Sequence, residues 1–437
     1  MQVCISMGKV LIITYYWPPG GGSAVLRWLK FTKYLRDFEW EPVIYTPDNP
    51  EAQEIDESLL KDIPGNLKVL KTKIYEPYRF YKWITGKKQT TRLGVALMSD
   101  KKKAGLASKV SLWIRSNLFI PDPRIFWIRP SIKYLSKYLK QHPVDVIIST
   151  GPPHSMHIIA LSLKKRFGIK WIADFRDPWT NIDFYKDLTL TCLADRCHRK
   201  LENKVLRSAD HVITVSPGMT REFKSMGIQQ VTTITNGFDA EPLETTRTET
   251  GKFTLLHLGS LPKSRNPEIL WKVITELAKE NSLFASNLQI RLIGKADQIV
   301  SESIMNYALQ EYVSFEEFIP HDQTQKVLSG AAVLLLCINN SPNAGGILTN
   351  KFFEYLSAYR PILALGPVDG DASVILAETG AGKIFGYNDT MGLKTYLLSM
   401  FGLYLQHNLK IEKSDIERFS RKKLTQELCE LLNKLII

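Results

Sequence analysis

Short runs of aliphatic residues alternate with helical patterns through the first half of the chain. The first run, Lys9–Tyr16 (KVLIITYY), is followed by the turn WPPGGGS and by a helical pattern from Ala24 to about Leu35. Further strands are predicted at Pro42–Thr46, Val144–Thr150, Trp171–Asp174, His211–Val215 and Val231–Ile234. Strands that alternate with helices predict a parallel sheet with helices on both faces.

The same alternation starts again after a polar, threonine-rich stretch at residues 241–252, which predicts a linker. The strands predicted beyond it are Phe253–Leu258, Gln289–Ile293, Val313–Phe315, Ala331–Ile338, Pro361–Leu365 and Gly382–Phe385. The fold class is therefore predicted to be α/β, with two doubly wound Rossmann-like domains, residues 1–240 and 253–395, facing each other across a cleft. The helical pattern of residues 396–437 is expected to pack back on the N-terminal domain.

A glycine-containing loop and a short helix follow the predicted strand Ala331–Ile338. The loop is Ser341–Leu348, and the next segment, Thr349–Leu365 (TNKFFEYLSAYRPILAL), begins with the helix. Phosphate groups bind at helix N-termini, because backbone N–H groups point out of the helix there and the helix dipole favours negative charge. Glu354 lies about one turn inside the helix, where its carboxylate could accept hydrogen bonds from two sugar hydroxyls. An ordinary amphipathic helix of an α/β domain is the alternative interpretation.

Composition predicts a globular protein without a membrane-spanning segment. Of its 437 residues, 44% are hydrophobic, which is enough for full cores, but no apolar run approaches the roughly 18 residues of a membrane helix. The N-terminus lacks the basic region and the small-residue cleavage site of a signal peptide. The five cysteines are scattered, which favours reduced thiols in the cytoplasm over a disulfide framework.

The net charge of +13 is concentrated in one segment. Residues 66–140 contain 18 lysines and arginines but only three acids, and aromatic residues from Tyr75 to Trp127 are interleaved with the cations. Basic stretches with Trp and Phe are typical of anionic membrane surfaces, so we expect this segment to contact one. Binding of nucleic-acid phosphates with base stacking, or a solvated insertion, are the alternatives; of these, nucleic acid is not the expected partner.

Eight motifs in order resemble the retaining glycosyltransferases of family four, which have the GT-B fold. They are KVLIITYYWPPGGGS, DVIISTGPPHS, KWIADFRDPW, ADHVITVSPG, ITNGFD, LHLGSLPKSRN, IRLIG and LTNKFFEYLSAYRPILAL, and they extend from Lys9 to Leu365. Bacterial surface-polysaccharide transferases are the most similar type. The resemblance implies transfer of a sugar from a UDP- or GDP-type donor, with retained anomeric configuration and without a metal or other cofactor. The implied acceptor is a membrane-associated glycan or a polyisoprenoid-linked lipid, which would place the enzyme at the inner face of the membrane.

The resemblance also implies a donor site in the C-terminal domain. Arg265 matches a diphosphate-binding base, Ser260 stands where many relatives have an arginine, and Glu354 matches the second glutamate of a pair. The first glutamate of that pair is replaced by Gly346, which puts the contacts to the donor sugar in doubt. The full set of expected donor-binding residues is Gly21, Gly22, Ser260, Lys263, Arg265, Gly345, Gly346, Ile347, Leu348, Thr349, Lys351 and Glu354. Selectivity for the base is expected near Phe318–His321.

The candidate catalytic residues lie in the N-terminal domain. Arg176 stands where many relatives have a histidine, and Asp174 and Asp177 flank it in the motif DFRDPW. A carboxylate–guanidinium cluster at a strand end is a candidate site, but a buried Arg–Asp clamp between loops fits the same residues. His154 is a further candidate, and no general base is assigned.

Other functions remain open at this point. A nucleotide-sugar epimerase or a phosphorylase of similar fold is one alternative. A non-catalytic relative that only binds nucleotide-sugar is another, because Gly346 and Ser260 depart from the family pattern.

Overall fold

The computed structural model describes residues 7–50, 55–76, 106–183, 185–239, 251–409, 411 and 415–436. The chain divides into two compact units. The first unit consists of Met1–Thr235 together with Leu424–Ile437, and the second unit consists of Asn236–Lys423. The predicted linker lies almost wholly outside the described residues, as does the sequence Tyr78–Trp83 from the basic segment.

The described part of the first unit contains a seven-stranded sheet in which every strand is parallel to its neighbours. The strands are β1 Gly8–Ile13, β2 Trp40–Pro47, β3 Lys68–Thr72, β4 Val146–Gly151, β5 Lys170–Phe175, β6 His211–Thr214 and β7 Val231–Thr233. The described helices are α1 Ser23–Tyr34, α2 Leu106–Leu118, α3 Ile125–Gln141, α4 Ser155–Phe167, α5 Cys192–Ser208 and α6 Pro217–Ser225. Strand β3 was not predicted, because in KVLKT only Leu70 is buried and the apolar pattern is short.

The second unit contains a six-stranded parallel sheet among its described residues. The strands are β8 Phe253–Leu258, β9 Leu288–Ile293, β10 Val313–Glu316, β11 Val333–Cys337, β12 Ile362–Leu365 and β13 Gly382–Phe385. The helices are α7 Glu268–Glu280, α8 Ser282–Asn287, α9 Gln298–Asn306, α10 His321–Ser329, α11 Asn350–Ser357, α12 Asp371–Thr379, α13 Thr390–Leu405 and α14 Arg421–Ile436, the last of which continues into the first unit. Short 3₁₀ helices occur at Leu35–Phe38, Glu57–Asp62, Tyr185–Asp187, Lys263–Arg265, Ala344–Gly346 and Ile416–Phe419.

Each sheet is covered on both faces, as parallel sheets require. In the first unit, Leu11 and Ile13 of β1 face a core shared with α3–α6, while Val10 and Ile12 face α1 and α14. The helices at the C-terminal end are used in two different ways. Residues of α13 pack around Phe253 in the second unit, whereas those of α14 from Leu424 onwards pack in the first unit.

The strand order reverses once in each sheet. The first sheet has the order β3-β2-β1-β4-β5-β6-β7, so that the reversal lies between β1 and β4. The second has the order β10-β9-β8-β11-β12-β13, with the reversal between β8 and β11. Ligands of doubly wound sheets bind beyond the carboxyl ends of the strands at such switch points. No helix in the described ranges combines the length and hydrophobicity needed to cross a membrane.

Candidate active site

Arg176 occupies the switch point of the first sheet. It follows β5, and its guanidinium extends to the loops that follow β1 and β4. It donates hydrogen bonds to Thr150 Oγ1 at 3.1 Å and to the carbonyl oxygen of Pro152, and it lies over the Tyr16 ring at 5.3 Å. A third, longer contact of 3.5 Å reaches the carbonyl oxygen of Ala24 in the first turn of α1. The arginine therefore holds the loops around this crevice in place and remains half-buried.

Gly21 and Gly22 form the entry to α1 at the same switch point. Gly22 precedes the helix and has a φ of +88°, a left-handed conformation that favours glycine. Gly22 is exposed and Gly21 is half-buried. These two expected donor-binding glycines thus belong to the first unit and directly precede the first turn of α1, which contains Ala24.

Asp174 forms a buried ion pair with a partner that was not predicted. Its carboxylate accepts hydrogen bonds from Arg27 at 2.8 Å, Trp28 Nε1 at 2.8 Å and Thr150 Oγ1 at 2.8 Å, and it is fully buried. Burial alone would raise the pKa of Asp174, but the charge and hydrogen bonds of Arg27, with those of Thr150 and Trp28, lower it overall. Asp174 therefore clamps α1 to β5, and its catalytic role stays a prediction.

His154 is packed inside the first unit, whereas Asp177 is exposed. The His154 ring stacks on Trp179 with a centroid distance of 4.3 Å, and only 7% of the residue is accessible. Burial lowers the pKa of His154 well below its usual range, and the nearby His157 and Arg176 act in the same direction. His154 therefore lies in the core of the first unit as a neutral imidazole, and its catalytic role stays a prediction. Of the predicted cluster, Arg176 and Asp177 retain accessible side chains.

Two cations converge at the switch point of the second sheet. Arg265, which follows β8, donates a hydrogen bond to Asn339 Oδ1 at 2.7 Å just beyond β11. Lys351, in the first turn of α11, lies 3.3 Å from His257 Nε2 on β8. Arg265 and Lys351 line one small pocket together with Cys337 and Thr349. The glycine loop after β8 and the helix after β11 therefore present their positive charges to the same space.

The hydrogen bonds of His257 indicate how His257 and Lys351 are protonated. His257 Nδ1 lies 3.0 Å from the carbonyl oxygen of Leu335 and must carry the proton, so that Nε2 accepts from the lysine. Burial lowers the pKa of His257 to about 3, and the charge of Lys351 contributes. Burial also lowers the pKa of Lys351 to about 8, and Arg265 adds to this effect. Lys351 is therefore an ammonium at neutral pH whose neighbour is a neutral imidazole.

Gly259 allows Lys351 to reach this position. Its φ is +97°, and a Cβ atom placed there would lie 2.9 Å from Lys351 Nζ. Any other residue would have to displace the ammonium or strain the backbone. Ser260 and Lys263, two further expected phosphate ligands, are exposed on the same loop.

Glu354 lies beside the region expected to select the base. Its Oε1 atom is 3.6 Å from Nε2 of His321, the first residue of α10, and its side chain is 21% accessible. Phe318, three residues before His321, is 57% exposed. The structure thus brings together the carboxylate predicted to bind ribose and the segment predicted to contact the base.

The loop before α11 uses part of its own hydrogen-bonding capacity. The Gly346 N–H donates to the carbonyl of Asn343, and the Ile347 N–H donates to that of Ala344, each at 3.1 Å. These two groups close a 3₁₀ turn, so they are not the ligand donors expected from the sequence. Leu348 packs in the core, and Thr349 directly precedes α11, whose first turn contains Lys351.

Comparison with protein families gives one match. Residues 95–242 match the family described as Glycosyltransferase Family 4. This match covers about a third of the 437 residues. A search of curated protein sequences found no significant match.

Solved structures with similar folds cover nearly the whole chain. Sucrose-phosphate synthase from Thermosynechococcus elongatus has a TM-score of 0.63 and 15% identity, covering 98% of this chain and 99% of its own. HepE from Anabaena, solved with UDP-glucose, has a TM-score of 0.62 and 14% identity, covering 98% and 100%. A TarM variant from S. aureus, solved with fondaparinux, α-GlcNAc-glycerol and UDP, has a TM-score of 0.62 and 11% identity, covering 98% and 100%. The predicted GT-B fold is thereby confirmed.

Two residues of this site were not recognised in the sequence. His257 is the penultimate residue of β8 and Asn339 follows β11, and each contacts one of the two cations. Both are polar residues at or near the carboxyl ends of strands that flank the switch point. That position was the available signal, but it required the strand order, which the sequence does not provide.

Proposed function

We propose that this glycosyltransferase transfers a sugar from a nucleoside diphosphate sugar to a membrane-associated glycan or lipid-linked acceptor, with retention of the anomeric configuration. The observation that carries this proposal is the convergence of Arg265 and Lys351 at the switch point of the second sheet, with Glu354 one turn further along α11. Cations for phosphate and a carboxylate for ribose are the groups that a nucleoside diphosphate requires.

The chemistry of the leaving group explains the need for two cations. Departure of a nucleoside diphosphate develops negative charge on phosphate oxygens, which preorganised positive groups stabilise. The family arginine is absent at Ser260, and Lys351 brings a cation to within 2.9 Å of the Cβ position at the adjacent Gly259. We propose that Lys351 replaces the missing arginine, with Arg265 as the second diphosphate ligand.

The donor is proposed to be of the UDP or GDP type. HepE was solved with UDP-glucose and the TarM variant with UDP, which supports a uridine nucleotide as the first to test. In the first unit, Arg176 and Asp177 are the accessible members of the predicted catalytic cluster. They are proposed to act on the acceptor side, without a metal ion or other cofactor.

Product analysis with labelled nucleotide-sugars tests this function. The purified protein is incubated with UDP- and GDP-sugars, with and without a bacterial membrane-lipid extract, and the products are separated and examined by NMR. The expected result is labelled sugar in the lipid fraction, linked with the same anomeric configuration as in the donor. Epimerised nucleotide-sugar without any acceptor would instead favour the epimerase. Binding of the donor without transfer or hydrolysis would favour a non-catalytic relative, the alternative that the departures from the family pattern at Gly346 and Ser260 suggest.

A further inference from the structure

Helix α3 has one face in the core and one face in solvent. Trp127, Ile128, Leu135 and Leu139 are buried, and Trp127 stacks on Tyr45 with a centroid distance of 4.9 Å. This corrects the expectation that Trp127 contacts a membrane. Because the inner face is fully packed, the composition of the outer face is not set by the fold of the first unit.

The outer face of α3 is positively charged along its whole length. Arg129, Lys133, Lys137 and Lys140 are exposed and recur at intervals of three or four residues, which places them on one side of the helix. The helix IFWIRPSIKYLSKYLKQ contains no acid. Within the part of the chain that the structure describes, none of these four side chains has an ion-pair partner. An ordinary solvated helix face mixes both signs of charge, and this one does not.

Exposed apolar side chains lie at the N-terminal end of this charged face. Phe126, the second residue of α3, is 55% exposed and contacts Phe119 edge-on at 5.8 Å. Helix α2 ends one residue before Phe119 and exposes Trp113 by 44% and Leu118 by 60%. Together, Trp113, Leu118, Phe126 and the four cations of α3 form what we call the α2–α3 surface.

We propose that the α2–α3 surface docks on anionic lipid headgroups. Lysine and arginine side chains are attracted to the negative potential of an anionic bilayer, and bulky apolar side chains beside them insert at the headgroup boundary. The exposed leucine favours lipid over nucleic acid, because an aliphatic side chain does not stack on bases as an aromatic one does. The end of α4 contributes two further exposed cations, Lys165 and Arg166. The Arg166 guanidinium donates a hydrogen bond to Ser136 Oγ of α3 at 3.3 Å.

The position of this surface links it to the acceptor side of the proposed reaction. Asp122, three residues before α3, accepts hydrogen bonds from Ser155 N at 2.7 Å and Ser155 Oγ at 2.9 Å, which fixes the start of α3 next to the start of α4. The loop that enters α4 includes Pro152, which accepts from Arg176. The apolar end of the surface thus lies at the same sheet edge as Arg176. A lipid-linked acceptor held at this end would reach the crevice of the first unit, an arrangement that rests on the proposed function.

Vesicle co-sedimentation of the full chain tests the docking itself. Phosphatidylcholine vesicles with and without phosphatidylglycerol are compared, using the wild type and a variant with Arg129, Lys133, Lys137 and Lys140 changed to Gln. Each basic residue near an anionic surface strengthens binding about fivefold, so the loss of four is expected to weaken it by about two orders of magnitude or more. The matched control changes Lys272, Lys279, Lys423 and Lys434 to Gln, which removes the same charge from other exposed positions.

A second variant distinguishes lipid from other anionic partners. Leu118→Ser combined with Phe126→Ser leaves the charge unchanged and is expected to weaken vesicle binding while leaving binding to a random single-stranded oligonucleotide unaltered. Equal vesicle binding by the wild type and the four-glutamine variant would overturn the proposal, as would oligonucleotide binding without vesicle binding. Thermal unfolding of each variant verifies its fold.

Nucleotide titrations separate this proposal from the proposed function. The four-glutamine variant is expected to bind UDP or GDP as the wild type does, because the α2–α3 surface lies in the first unit and the diphosphate site in the second. Vesicle binding that depends on α3 in a protein without any nucleotide binding would preserve the docking surface and refute the transferase proposal. If the protein binds nucleotide but the α3 substitutions do not change its binding to vesicles, the docking surface is refuted and the transferase proposal is kept.

Discussion

Both sheets reverse their strand order next to the first strand of their unit, between β1 and β4 in one and between β8 and β11 in the other. In the first unit, the buried cation Arg27 is matched by the carboxylate of Asp174. In the second unit, Arg265 donates to the neutral amide of Asn339 and Lys351 to the neutral imidazole of His257. A carboxylate cancels the charge of its partner, whereas a neutral acceptor orients the cation and leaves the charge in place.

The same strand topology therefore serves two purposes, the positioning of loops in the first unit and the proposed binding of an anion in the second. The strand order predicts where a ligand can bind, but the partners of the charged residues decide which ligand the site favours. At the first switch point, Arg176 donates to a hydroxyl and to backbone carbonyls that join the loops together. At the second, the cationic side chains of Arg265 and Lys351 line one pocket, which suits a diphosphate.

Among the predictions that test this comparison, Asp174→Asn is expected to have the largest effect, a loss of folding stability. It leaves the Arg27 guanidinium buried at 1% exposure without a carboxylate, and breaking such a pair costs about 3–5 kcal/mol of stability. Urea unfolding monitored by tryptophan fluorescence measures the loss. Asp177→Asn is the matched control, since an exposed carboxylate three residues away should change stability by less than about 0.5 kcal/mol. Similar losses in the two variants would refute the clamp.

Acidification is expected to destabilise both units through buried histidines. Burial lowers the pKa of His157 in the first unit and of His257 in the second to about 3. The unfolded chain takes up these protons below about pH 6.5 and the folded chain does not, so stability falls as pH falls, by about 2 kcal/mol per histidine at about pH 5. Thermal unfolding at several pH values measures this.

A substitution of one histidine sharpens the acid prediction. His157→Gln removes one titrating group, so its stability should fall less steeply with acidification than that of the wild type, whatever its stability at neutral pH. His142 is exposed, and His142→Gln should leave the steepness unchanged. An unchanged acid response in the His157 variant would show that this imidazole is not held neutral by burial.

Glu354→Ala is expected to weaken nucleotide binding by about 1.5–3 kcal/mol, the usual loss for hydrogen bonds to a charged group. Calorimetric titration with UDP measures it. The same titration with 2′-deoxy-UDP should show a smaller difference between variant and wild type, because one ribose hydroxyl is already missing. Equal losses with both nucleotides would mean that the carboxylate acts elsewhere than on the ribose 2′-hydroxyl.

His321→Gln is expected to have the smallest effect. Its ring lies 3.6 Å from the Glu354 carboxylate and orients it, but both side chains are partly exposed, so the loss in UDP affinity should stay below about 1 kcal/mol. In the Glu354→Ala background the same substitution should have no effect, since there is no carboxylate left to orient. A loss that persists in that background would assign His321 a contact of its own with the nucleotide.

The strands were largely predictable because their signals are local. Phe253–Leu258 was predicted with the bounds that β8 has, since its apolar run lies between Gly251–Lys252 and Gly259. The interactions within the candidate sites were much less predictable. Asp174 pairs with Arg27 across 147 residues of sequence, and Lys351 meets His257 across 94. Such pairings follow from strand order and register, which local patterns do not encode, so Asp174 was predicted as a candidate site residue but its partner Arg27 was not predicted.

Titration calorimetry with UDP and GDP tests most directly whether the second switch point holds a diphosphate. The wild type should bind at least one of them, Arg265→Ala and Lys351→Ala should each weaken binding by about tenfold or more, and Lys279→Ala, at the exposed end of α7, should not. Because the pKa of Lys351 is lowered to about 8, wild-type affinity should also fall as pH rises towards about 9, and this fall should disappear in Lys351→Ala. A wild type that binds neither nucleotide, or cation variants that bind as tightly as it does, would contradict the account.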